Sequence, residues 1–155
     1  MKQTSPPMSA PATTPDVEGR KNTPSRWRRR SLLLLRVSSV LFVVDTLVQA
    51  MLAAAFVTGD VSLLQWHNAN AQLLTFILLV ETAAAFAVWR TRQAPLWTAC
   101  LVVLLIVLVG VQQMLGHTRL LLVHIPLGVT IFGSAAAHAV WSFTLPSARP
   151  QERHR

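Results

Sequence analysis

Residues 96–115, LWTACLVVLLIVLVGVQQML, are the clearest indication of the fold in this chain. These twenty consecutive residues contain no charged side chain, and most of them are aliphatic. A helix of this length spans about 30 Å, which is the thickness of the hydrocarbon core of a bilayer. The stretch does not alternate between polar and apolar residues as a strand of a membrane barrel does. It therefore predicts a transmembrane helix.

Three more segments of the chain are similarly long and apolar. Together they predict four transmembrane helices, over residues 31–57, 65–89, 95–115 and 120–145. The composition agrees, because 52% of the residues are hydrophobic, only 13% are charged and the mean hydropathy is +0.45. Soluble domains carry about a quarter charged residues. The predicted fold is an all-α integral membrane protein, a bundle of four transmembrane helices.

The chain has a net charge of +8, and twelve of its fourteen basic residues lie on one side of the predicted bundle, whereas Arg36 falls inside the first helix and Arg119 lies on the other side. The twelve include Arg26, Arg28, Arg29 and Arg30 before the first helix, Arg90 and Arg92 between the second and third, and Arg149, Arg153 and Arg155 after the fourth. Positive charge stays on the cytoplasmic side, so both termini are predicted to be cytoplasmic and the protein to lie in the plasma membrane. No basic face runs along a folded element, which disfavours nucleic-acid binding.

The chain divides into one membrane domain and two tails. Residues 1–28 are rich in Pro, Ser and Thr and lack apolar periodicity, so they predict a disordered basic cytoplasmic tail. Residues 29–146 form the transmembrane domain, and residues 147–155 form a second cytoplasmic tail.

Two similar six-residue motifs suggest an internal repeat of two helical hairpins. VQAMLA at residues 48–53 ends the first helix, and VQQMLG at residues 111–116 ends the third. Each motif is followed by a short loop and a helix that carries a histidine near its start, His67 or His124. Hairpins related by a two-fold axis along the membrane normal would place both histidines at one depth near the outer face.

Opposed histidines at one depth are the geometry for axial ligation of a heme iron. Polar groups at membrane depth normally face the bundle interior, so His67 and His124 are expected to face each other. Ala71 and Gly128, one turn beyond each histidine, would leave room for a porphyrin, and Asn70 could orient a propionate or an imidazole. The predicted cofactor is heme b. Structural or interfacial roles for the histidines, or another metal, remain alternatives.

The short motifs around the two histidines resemble sequences of the heme A synthase family. They are WHNAN at residues 66–70, which opens a helix, and VQQMLG at 111–116 followed by Val123 and His124. The likeness covers residues 47–141, about one four-helix bundle, such as the C-terminal half of that family; small four-helix membrane proteins of bacteria look similar.

The resemblance implies one heme between histidines on the second and fourth helices of the bundle, near the outer face. Carried over residue by residue, it gives only His67 and His124 as ligands. The catalytic bundle of the family has a carboxylate one turn before its first histidine, where this chain has Leu64. One bundle also cannot supply both a catalytic and an electron-donating heme. Heme A synthesis by this chain is therefore not expected.

Besides His67 and His124, four acidic, basic or histidine residues fall inside the predicted helices and form a candidate buried polar cluster. They are Arg36, Asp45, Glu81 and His138, of which Arg36, Glu81 and His138 are expected at a similar depth toward the inner side. Such groups are costly in hydrocarbon and must be paired, protonated or hydrated. They would serve either as a proton path or charge compensation for heme reduction, or as a buried pair that fixes the helix register.

The sequence leaves three functions open. The first is a small heme-b-binding membrane protein that transfers electrons or handles heme, without chemistry of its own. The second is a cofactor-free four-helix accessory or structural protein, and the third is a small proton-coupled transporter that uses Asp45, Glu81 and His138. Besides the lipid bilayer, the partners left open are a quinone, a redox protein and a second copy of the chain.

Overall fold

Four long helices make up the part of the chain that the structure, a computed structural model, describes, which is residues 26–146. They are α1 (Arg26–Val57), α2 (Leu63–Arg90), α3 (Leu96–His117) and α4 (Leu121–Thr144). No strand occurs within residues 26–146. Each helix is long and apolar enough to cross a bilayer. The prediction of an all-helical chain with four long apolar helices is confirmed.

The helix ends differ from the predicted ends by at most five residues, and the end of α1 at Val57 is as predicted. The largest difference is at α1, which begins at Arg26 rather than at residue 31, because arginine is a good helix former and its charge does not interrupt the backbone bonds. The predicted tail over residues 1–28 therefore loses its last three residues to α1. The rest of that tail, residues 1–25, and the tail over 147–155 lie outside the described residues.

The four helices are arranged as a square in which α1 and α3 stand on one diagonal. The helix α1 packs against α2 and α4, and α3 packs against the same two helices. The second and fourth helices therefore face each other across the bundle axis. Short loops close the hairpins, and Arg119 in the α3–α4 loop adopts a left-handed backbone conformation with φ of 59°. A hydrogen bond from the Leu120 amide to the Leu115 carbonyl caps the C-terminal end of α3.

Most of the packed core lies in one half of the bundle. The half in which α1 and α3 begin and α2 and α4 end is here called the basic end, and the opposite half, with the α1–α2 and α3–α4 loops, the histidine end. Buried residues of α1 run only from Ser31 to Asp45, those of α2 begin at Leu74, and those of α4 begin at Ile131. At the histidine end, most inward-facing side chains are only half-buried, although a few, among them Asp45 of α1 and Leu115 of α3, are buried.

An apolar layer fills the middle of the bundle. It is made of Phe42, Leu78, Leu105 and Ile131, one from each helix, and each is at most 3% exposed. The outward-facing positions of the helices carry large apolar side chains that are exposed, which agrees with helices apolar enough to cross a bilayer. The layer separates polar groups at the histidine end from a second polar group at the basic end.

Candidate functional site

His67 and His124 lie near the starts of α2 and α4, the two helices that face each other across the bundle. Both side chains are half-buried at the histidine end. The structure therefore places the two residues that the sequence selected as ligands at the same end of the bundle, on opposed helices.

The ring of His67 is bound on both sides by Gln49 of α1. Nδ1 of His67 lies 3.2 Å from the backbone carbonyl oxygen of Gln49. A carbonyl oxygen only accepts, so Nδ1 carries the proton and donates, and Nε2 keeps its lone pair. The side-chain amide nitrogen of Gln49 lies 3.2 Å from that Nε2 and donates to it. The ring is thus fixed as the Nδ1–H tautomer.

The ring of His124 makes the corresponding bond to α3. Nδ1 of His124 donates to the backbone carbonyl oxygen of Gln112 at 2.9 Å, which again leaves the lone pair on Nε2. The Gln112 side-chain amide donates to the backbone carbonyl of His124 at 2.9 Å, so the two residues hold each other. Within residues 26–146, Nε2 of His124 has no hydrogen-bond partner.

The two histidines bind glutamines that stand at the same position in the two similar motifs. Gln49 is the second residue of VQAMLA, and Gln112 is the second residue of VQQMLG. The backbone carbonyl of each glutamine accepts a hydrogen bond from Nδ1 of the histidine on the following helix. A bond of this kind from the non-ligating nitrogen is what orients a metal-binding histidine and makes its other nitrogen more basic.

Asn70 connects the His67 site to Asp45. Its side-chain amide donates to the side-chain oxygen of Gln49 at 2.9 Å and lies 3.4 Å from the backbone oxygen of Asp45. Asp45 is 8% exposed, and its Oδ2 has no hydrogen-bond partner within residues 26–146. Asn70 therefore orients the glutamine that holds the imidazole, and Asp45 belongs to the histidine end.

Small residues beside the histidines make room for neighbouring side chains. A Cβ atom at Gly128 would lie 2.9 Å from the amide nitrogen of Gln112, and one at Gly116 would lie 3.1 Å from Cε1 of His124. The Gln112 side chain thus occupies the space beside Gly128 that the sequence assigned to a porphyrin. The carbonyl of Ala71 accepts a bond from Gln113 of α3 at 3.1 Å.

Glu81 and His138 form a buried pair at the basic end. Nδ1 of His138 lies 2.9 Å from Oε1 of Glu81, and the Ser39 hydroxyl donates to the same oxygen at 2.8 Å. Glu81 and His138 are at most 2% exposed, and Trp141 stacks on the imidazole at 6.1 Å. Within the described residues, Oε2 of Glu81 and Nε2 of His138 have no hydrogen-bond partner.

Arg36 binds the end of α4. Its Nε donates to the backbone oxygen of Ser142 at 3.2 Å and its Nη2 to that of Leu145 at 2.8 Å. The guanidinium also lies over the ring of Phe143 at 5.3 Å. The last carbonyls of a helix lack internal partners and carry partial negative charge, so Arg36 stabilises the α4 terminus.

The structure divides the four ionisable residues that the sequence grouped together. Glu81 and His138 are paired, Arg36 binds carbonyls at the α4 terminus, and Asp45 lies beside Asn70 at the histidine end. Sequence depth alone suggests a common level for three of them, but the helix face decides which side chains meet.

The sequence reasoning missed the glutamines and Ser39 as members of these sites. The repeated motifs contain polar residues within apolar segments, namely Gln49, Gln112 and Gln113, and this pattern could have indicated a polar site. Gln113 donates to the hydroxyl of Thr75 at 2.8 Å and so joins α3 to α2. Ser39 carried no such signal, since the neighbouring Ser38 is as polar and binds only its own helix.

Three comparisons, with protein-family models, with curated proteins and with solved structures, give no match for the chain. The similarity to the heme A synthase family therefore rests on the short sequence motifs around His67 and His124 alone.

Proposed function

We propose that this protein is a small integral membrane protein that binds one heme b between His67 and His124 and transfers electrons or handles heme near the outer face. The observation that carries the proposal is the matching bond in the two hairpins. Each histidine donates from Nδ1 to the carbonyl of the equivalent glutamine and keeps its lone pair on Nε2. Two neutral imidazoles prepared in this way form the ligand set of a low-spin heme.

The surroundings of the histidines support this proposal. The bundle is loosely packed at the histidine end, where the two rings are half-buried on opposed helices. The residue beside the His124 site that must move is Gln112, whose amide is the end of a flexible side chain. A bound heme supplies one-electron transfer, while the chain holds the imidazoles, fixes their tautomer and limits access of water. The nearby side-chain amide of Asn70 is a hydrogen-bond donor that would orient a propionate.

The proposed setting is the plasma membrane, with both termini in the cytoplasm. All four helices are suited to crossing a bilayer, and the arginines in the first turns of α1 and at the end of α2 and in the loop after it support this orientation. The histidine end then faces outward. Its redox partner would be a quinone in the bilayer or a protein at the outer surface.

Absorption spectroscopy of the protein purified from heme-replete cells tests the proposal. We expect a Soret band, with the α and β bands of a bis-histidine heme after reduction. The variants His67→Ala and His124→Ala should lose this spectrum. His117→Ala should keep it, because His117 is exposed at the end of α3 and its Nδ1 binds the Gln113 carbonyl of its own helix. A colourless protein would refute the proposal.

A cofactor-free structural role is the second candidate, and a specific observation favours it. Gln49 binds Nε2 of His67, and Gln112 fills the space beside Gly128, so much of the polar network is closed by the chain itself. If this candidate is correct, heme added to the purified protein will leave its thermal unfolding temperature unchanged. If heme is bound, the temperature will rise with heme concentration.

A further inference from the structure

We infer that Gln49 is a displaceable cap on His67, and that it makes His67 the exchangeable one of the two proposed heme ligands. The inference rests on the proposed function and deepens it. The two histidines bind carbonyls through Nδ1 in the same way, but their Nε2 atoms differ. Nε2 of His67 accepts a bond from the Gln49 amide, whereas Nε2 of His124 has no partner within residues 26–146.

The cap on His67 is held in place from two helices. The Asn70 amide on α2 donates to the side-chain oxygen of Gln49 at 2.9 Å, which leaves the amide nitrogen of Gln49 directed at the imidazole. Asn70 also lies 3.4 Å from the backbone oxygen of Asp45 on α1. The orientation of the Gln49 amide is therefore set by a chain of bonds rather than by free rotation.

The equivalent glutamine of the second hairpin does not cap its histidine. The Gln112 amide donates to the backbone carbonyl of His124 and lies against Gly128, away from Nε2. The His124 ring packs against Gly116, where the first hairpin has Ala53. His124 therefore presents its lone pair, while His67 has its lone pair already engaged.

One lone pair cannot serve both partners. Nε2 of His67 either accepts the N–H of Gln49 or bonds to iron, so ligation requires that the Gln49 bond breaks. When the iron bond breaks, Gln49 stabilises the released imidazole. A net hydrogen bond changes an equilibrium by about twofold to tenfold. Gln49 is thus a positioning residue that weakens ligation by His67 by this factor.

The first part of the test uses the heme-free protein and does not depend on heme binding. Diethyl pyrocarbonate acylates the unprotonated nitrogen of an imidazole, and peptide mass spectrometry follows His67. In Gln49→Leu, which keeps the side-chain size but removes the amide, the modification of His67 should be about twofold to tenfold faster. Gln112→Leu is the matched control and should leave the His67 rate unchanged. Asn70→Ala, which releases the Gln49 amide, should give a smaller increase.

The second part uses heme titration of the same proteins. Gln49→Leu should bind heme about twofold to tenfold more tightly than the unsubstituted protein and, when reduced, should bind carbon monoxide more weakly by the same factor, since carbon monoxide replaces His67. Gln112→Leu should not bind heme more tightly.

The results separate the two ideas. An unchanged His67 modification rate in both Gln49→Leu and Asn70→Ala overturns the cap. Equal or weaker heme binding in Gln49→Leu overturns the exchangeable role of His67. If the unsubstituted protein binds no heme, the proposed function fails, and the modification rates still decide whether Gln49 caps His67.

Discussion

The two ends of the bundle both contain histidines, but they surround them differently. At the basic end, His138 is at most 2% exposed and its Nδ1 lies against the carboxylate of Glu81. At the histidine end, His67 and His124 are half-buried, and their Nδ1 atoms donate to backbone carbonyls. The same side chain thus has an ionisable partner in the packed half and a neutral one in the open half.

The partner decides what each histidine can do. A carboxylate can share or take the imidazole proton, so Glu81 and His138 behave as one unit that must stay together in a dry core. A backbone carbonyl cannot take a proton, so it fixes the tautomer and leaves Nε2 available. We therefore expect substitutions at the basic end to change stability and substitutions at the histidine end to change ligand binding.

The largest effect is expected from breaking the Glu81–His138 pair. His138→Leu leaves the carboxyl group of Glu81 buried with only the Ser39 hydroxyl on Oε1 and should lower the free energy of unfolding by about 3–5 kcal/mol. The double variant Glu81→Leu/His138→Leu removes both polar groups and should lie within about 1 kcal/mol of the unsubstituted protein. Equilibrium unfolding in mixed detergent micelles measures both. A double variant as unstable as the single one would show that the pair is more than a matched polar contact.

Core truncation should separate the two ends at an intermediate level. Leu78 is 1% exposed in the apolar layer, so Leu78→Ala leaves a cavity and should cost about 2–4 kcal/mol. Leu127 is only half-buried at the histidine end, so Leu127→Ala should cost less than about 1 kcal/mol. The same unfolding assay compares them. Equal losses would contradict the difference in packing between the two ends.

The smallest effect concerns two glycines of α4. A Cβ atom added at Gly133 would have no heavy atom within 4 Å, so Gly133→Ala should stabilise the protein by about 0.5–1 kcal/mol through helix propensity. At Gly128 the same methyl group displaces the Gln112 amide from the His124 carbonyl, so this gain should be offset by about 1 kcal/mol. Thermal unfolding of the two variants gives the difference. Identical shifts would mean that the Gln112 bond contributes nothing.

The sequence predicted the helices and the placement of His67 and His124 near the starts of α2 and α4 because both depend on local pattern. Segment length and missing charges define the helices, and a histidine near the start of α2 and of α4 sets its depth. The glutamine bonds were not predictable in the same way. Whether a carbonyl of α1 or α3 meets the imidazole of the next helix depends on the rotation of each helix about its axis, which apolar segments do not specify.

Rotation also explains the residues that depth alone grouped together. Arg36 and Glu81 were expected at one level, yet Arg36 binds the α4 carbonyls while Glu81 faces Ser39 and His138. Asp45 was grouped with them as a buried charge, yet it lies near Asn70. Residues at similar depth meet only when their helix faces do.

Length, charge and helical rise act along one chain, so the order of residues was enough to define the four long apolar helices, the separation of basic and apolar residues and the depth of the two histidines. The partners came from the packing of the helices: carbonyls for His67 and His124, a carboxylate for His138 and helix-terminal oxygens for Arg36. The same packing leaves only one end of the bundle tightly filled. These features depend on how four helices turn toward one another, since hydrogen bonds and close packing act over distances shorter than the width of one helix.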